Sequence, residues 1–144
     1  MKYRSLISNA LFMAKKYSLW FGVIFLLIGL LGFIPNPLVG SGALFHTDSV
    51  HNLIHLIVGL ILLYTGTKAG DKAVAALKTI GVVYLVVAVL GFLGGDSVLG
   101  IFEVNAADNW LHVVLGVLIL WLGLKAGKGG AAGSMPSGVG GTTM

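Results

Sequence analysis

The 144-residue chain has no cysteine, three prolines and only 10% charged residues. Without cysteine there is no disulfide, no thiol nucleophile, no Cys-ligated zinc and no cysteine-held iron–sulfur cluster. The shortage of charge excludes more, because an ordinary soluble domain carries roughly 25% charged residues. This chain lacks the polar surface that a water-soluble fold requires. Proline stands only at positions 35, 37 and 136, so long stretches of backbone are uninterrupted by it. Also missing are a Ser/His/acid set, a deep carboxylate pair and a nucleotide-binding fingerprint, so no catalytic residues are assigned and a non-enzymatic role is expected.

What is present is apolar: 57% of the residues are hydrophobic. Four apolar runs, near residues 17–34, 49–66, 74–94 and 106–124, each have about 18–21 residues, or about 27–31 Å of helix, which suits a hydrocarbon core of about 30 Å. The fold class that follows is all-α, an integral membrane four-helix bundle. It fills residues 17–125, preceded by an N-terminal segment at 1–16 and followed by a Gly/Ser-rich tail at 126–144 that is expected to be disordered. Within the N-terminal segment, SLISNALFMA carries apolar residues at helical spacing and reads either as a short interfacial helix or as a frayed arm.

The second positive feature is an internal repeat. GVIFLLIGLLGF, a loop and HNLIHLIVGLILLYTGTKAG are answered by GVVYLVVAVLGF, a shorter loop and DNWLHVVLGVLILWLGLKAG. Gly22 aligns with Gly81; after a two-residue deletion in the loop, Asn52 aligns with Asn109, His55 with His112 and Gly59 with Gly116. The unit is a helix pair, so the bundle is expected as two tandem parallel two-helix repeats about a pseudo-twofold axis along the membrane normal. The first run resembles a signal peptide, but its match to a mid-chain run favours a permanent span. Asp48 and Asn105 align as N-caps of the second and fourth helices.

Charge is sorted by side. All nine Lys and Arg residues fall at one side of the spans; Asp48, Asp96, Glu103, Asp108 and the four histidines fall at the other. By the positive-inside rule both termini are cytoplasmic. The basic edge reads as an anchor to anionic lipid, with the bilayer as partner and no nucleic acid.

On helical wheels Gly22, Gly29, Gly59, Gly66, Gly81, Gly116 and Gly123 form small-residue stripes, the surfaces through which helices pack in lipid. Above them lie the polar groups. His46 and His51 are expected at the water interface, whereas His55 and His112 sit about two turns in, at aligned positions. These two are candidate cofactor ligands, and His51, His55, Asp108 and His112, at i, i+4 spacing on two helices, are a candidate metal set. Asn52 and Asn109 are placed as a structural polar pair. The leading reading of His55 and His112 is an interhelical hydrogen-bonded pair; a metal ion or haem b held between them is the alternative, with no cofactor required by the leading one.

The segments DSVHNLIHLIVG (48–59) and NAADNWLHVVLG (105–116), each following an L-G-F span, resemble a family of small bacterial membrane proteins known only as a domain of unknown function. The resemblance covers about residues 17–125 and implies a four-span bacterial membrane protein with no assigned activity. It supplies no site residues. The expected role is a structural or accessory component of the bacterial plasma membrane, within an oligomer or larger complex; a metal- or haem-binding protein is the alternative, and a small-solute or proton-linked transporter a second.

Overall fold

The computed structural model describes residues 2–131, with side chains from 7 to 128. Its elements, in order, are α1 (Lys2–Leu31), β1 (Val39–Gly40), β2 (Phe45–His46), α2 (Ser49–Thr67), a 3-10 turn (Gly70–Lys72), α3 (Ala73–Gly94), β3 (Ser97–Val98), β4 (Phe102–Glu103) and α4 (Ala106–Ala131). Four stretches, Ile7–Leu31, Ser49–Thr67, Gly70–Gly94 and Ala106–Lys128, are long and apolar enough to cross a membrane, as in a multi-pass membrane protein. Their outward faces agree: Trp20, Leu27, Leu60, Val89, Val114 and Trp121 are all exposed, which suits lipid and not water.

Two boundaries differ from the sequence reading. α1 runs unbroken from Lys2 through residue 16, because no glycine or proline interrupts residues 2–21 and the basic residues there are good helix formers. α4 continues to Ala131, so the first part of the expected tail is helical, while the rest of that tail lies outside the described residues. α1 ends where expected, at the Pro35-Asn36-Pro37 segment. There Asn36 organises the exit: its Nδ2 donates to the carbonyls of Leu31, Ile34 and Val39, and its Oδ1 accepts from the N–H groups of Leu38 and Val39.

The glycines set how closely the helices approach. A Cβ on Gly22 would meet the backbone nitrogen of Leu63 at 2.8 Å, and one on Gly59 the backbone nitrogen of Leu26 at 2.9 Å, so α1 and α2 lie antiparallel with main chains nearly touching. α3 and α4 repeat this at aligned positions, with Gly81 against Leu120 and Gly116 against Leu85. At the loop end, Gly32 and Gly91 each face the carboxamide of an asparagine, Asn52 and Asn109, which a Cβ would overlap. Between the hairpins, α1 packs on α3 and α4, and α2 on α3. Phe25, Leu62, Leu77 and Ile119 are fully buried there.

Gly81 offers a test of this packing. A Cβ there would stand 2.5 Å from the backbone nitrogen of Leu120 and 2.7 Å from its Cα, atoms that cannot move without shifting α4. Gly81→Ala is therefore expected to destabilise the folded protein by about 1–3 kcal/mol, as overpacking does. Gly94→Ala, where nothing lies within 4 Å, is the matched control and should be close to neutral. Thermal unfolding in detergent reads the difference.

Candidate metal centre

The α1–α2 and α3–α4 loops lie at the same end of the bundle, and each reaches across to the other hairpin. β4 lies against α2, and β2 against α4. The crossing is fastened by Asp48, which accepts a hydrogen bond from the His51 N–H at 2.8 Å as N-cap and a second from the Glu103 N–H at 3.1 Å. Asn105 does the equivalent work, capping Asp108 N–H at 2.9 Å through Oδ1 and donating through Nδ2 to the Leu44 carbonyl. His46 and Glu103 meet on the outer surface at 2.7 Å.

Under these crossed loops three imidazoles converge. His51 and His55, one turn apart on α2, have ring centroids 4.6 Å apart; His112 on α4 lies 5.5 Å from His51 and 6.4 Å from His55. One nitrogen from each ring can be chosen so that all three lie within 4.8 Å of one another. All three residues are buried. Asp108, also buried, brings Oδ2 to 3.2 Å from His112 Nδ1 and 4.0 Å from His51 Nε2. The candidate metal set read from the sequence is thus gathered in one place.

His51 departs from its expected interfacial setting. It is only 1% exposed, because the loop bearing β4 folds over it and Phe102 packs on its ring at 4.8 Å. His55 and His112 are near one another, but His55 Nδ1 has no hydrogen-bond partner and His112 Nδ1 is engaged elsewhere. Asn52 and Asn109 do not reach the imidazoles: their carboxamides lie against Gly32 and Gly91, and the Oδ1 of each is buried without a hydrogen bond.

The hydrogen bonds at the site orient lone pairs. His51 Nδ1 is 2.9 Å from the Glu103 carbonyl, and His112 Nδ1 is 2.9 Å from the Asp108 carbonyl. A carbonyl oxygen only accepts, so in each neutral ring Nδ1 carries the proton and Nε2 keeps a free lone pair. Tying the far nitrogen of a histidine to a backbone carbonyl is how proteins fix a ring that ligates metal. Because His112 Nδ1 is directed to the main-chain carbonyl, Asp108 Oδ2 accepts no hydrogen bond despite its 3.2 Å separation from that nitrogen.

Unpaired buried polar atoms mark the rest of the site. Thr47 Oγ1, His55 Nδ1, Tyr84 OH and Asp108 Oδ2 are all buried without partners, and all four residues line one partly open cavity of about 240 Å³. A buried polar group left unpaired costs about 1–3 kcal/mol, and four such groups belong to residues of this one cavity lining. Thr47 and Tyr84 were not singled out by their sequence context. The signal was available in the repeat, since Tyr84 aligns with Phe25 and Thr47 with Val104. Phe25 stacks on His55 at 5.9 Å and Tyr84 tilts on His112 at 4.9 Å, so the aligned aromatics serve aligned histidines, but one carries a hydroxyl.

Comparison with known proteins adds a family and no activity. No curated protein and no solved structure matches the chain. A match to the domain of unknown function DUF4383 spans residues 15–125, from within α1 to within α4, and the chain belongs to that family.

Proposed function

We propose that this is a multi-pass protein of the bacterial plasma membrane that holds a divalent transition-metal ion, zinc in the first instance, at His51, His55, His112 and Asp108. The observation that carries this reading is the convergence of three buried imidazoles within 4.8 Å, two of them oriented by backbone carbonyls, in a bundle that is otherwise nearly free of charge. Three nitrogens and one carboxylate oxygen are a donor set suited to a borderline ion such as zinc. A metal ion would also partner the unpaired His55 nitrogen and Asp108 oxygen, which otherwise stay buried at a cost.

The same reading places both termini and the basic edge in the cytoplasm and the metal centre near the external face. It treats the two hairpins as parallel repeats about a pseudo-twofold axis, supported by the matched glycine contacts at Gly22 and Gly81 and at Gly59 and Gly116. Zinc is favoured over haem because His51 stacks on His112 with an interplanar angle of 22° and so occupies the space beside that ring which a macrocycle would need. The expected outcome for protein purified in detergent and incubated with zinc is about one tightly held ion per chain, measured by elemental analysis after dialysis. Protein that retains no metal, or that carries a Soret band instead, would overturn the proposal.

A further inference from the structure

The cavity beside the metal set has two characters. Its wall is overwhelmingly apolar, with Ile28 and Leu31 of α1 facing Leu111 and Leu115 of α4, and it reaches the exposed Leu38 at its margin. Five residues with polar groups, Tyr84, Thr47, His55, His112 and Asp108, also belong to its lining. Neither hydroxyl has a hydrogen-bond partner, and each can donate. An apolar cavity whose lining includes two residues with unsatisfied hydroxyl donors, beside a candidate cation site, suits a molecule with a hydrocarbon body and an anionic oxygen head.

From this we infer that the cavity is a binding site for the carboxylate head and proximal chain of a medium-chain fatty acid, an inference that rests on the metal reading above. One carboxylate oxygen would take a fifth position on the ion, and the other would accept from Tyr84 and Thr47. The charges support it: a divalent ion with the Asp108 carboxylate leaves one net positive charge, which a single carboxylate neutralises in a low-dielectric site. Size supports it as well. A cavity of about 150 Å³ holds benzene, so about 240 Å³ accommodates on the order of ten non-hydrogen atoms, the size of octanoate.

The repeat provides conservative variants for the test. Tyr84→Phe and Thr47→Val install the residues found at the aligned positions, Phe25 and Val104, and neither position is in the metal set. Zinc-loaded protein in nanodiscs is dialysed against radiolabelled octanoate, with empty nanodiscs as background and 1-octanol as the neutral-headed competitor. Elemental analysis runs on the same samples. Octanoate should bind above background and resist 1-octanol, and each variant should weaken it about tenfold while keeping its zinc. Octanoate at background in protein that holds zinc would overturn the inference alone; so would displacement by equimolar 1-octanol, or variants binding like the parent. Absence of zinc from the parent protein would overturn the metal reading and this inference together.

Discussion

His112→Ala is expected to abolish stoichiometric zinc retention, lowering affinity by well over a hundredfold. The basis for the magnitude is comparative: losing a partner that merely orients a ligand costs 10- to 100-fold in known metal sites, and His112 is itself placed as a ligand. Its removal leaves His51 and His55, both from α2, with Asp108 as the only donor from α4. The metal would no longer be clamped between the two hairpins by an imidazole on each side. His55→Ala should act similarly, since His55 Nδ1 is buried and unpaired and has no hydrogen-bonding role to lose. His46→Ala serves as the control. His46 pairs with Glu103 at the surface, at 2.7 Å, and lies outside the imidazole cluster, so its variant should keep one ion per chain. Equal loss in all three variants would point to general unfolding and against a specific site.

The parts of this architecture that were legible beforehand are those written in local patterns. The span of α2 shows in its uninterrupted apolar run, and Asp48 and Asn105 were recognisable as caps because an N-cap needs only its own residue type at the helix start. His51 and His55, like Asp108 and His112, are i, i+4 pairs that any helix puts on one face. The burial of His51 was not legible, because it depends on β4 crossing from the second hairpin, and on the Glu103 carbonyl, a main-chain atom that carries no sequence signature. Tyr84 read as one more aromatic in an apolar run. Its hydroxyl acquires meaning only once α3 packs and brings it to the same cavity as Asp108 and Thr47. The asparagines, placed as a structural polar pair, have their carboxamides fitted against Gly32 and Gly91 of the preceding helices, a contact with bare main chain that no side chain signals.

Asp108 makes the stability and the proposed function of the site pull in opposite directions. Its Oδ2 is buried and accepts no hydrogen bond, with His112 Nδ1 at 3.2 Å directed to the Asp108 carbonyl and His51 Nε2 at 4.0 Å, so the carboxylate sits in the fold without a direct partner. Asp108→Asn keeps the shape and removes the charge. In chelator-treated protein it is therefore expected to raise stability, by on the order of 1 kcal/mol, because a neutral carboxamide costs less than a charge in the same unpaired site. With zinc the sign should reverse. An ion that binds only the folded state stabilises it by RT ln(1 + [L]/Kd), about 2.7 kcal/mol at a hundredfold excess over Kd. The variant, lacking the anionic ligand, would forfeit most of that gain. Melting curves of parent and variant, each with chelator and with zinc, should therefore cross: the variant more stable without metal, the parent more stable with it. A carboxylate kept only to hold the bundle together would give the same order in both conditions, with the variant lower, because a structural role for Asp108 contains no term that depends on the ion.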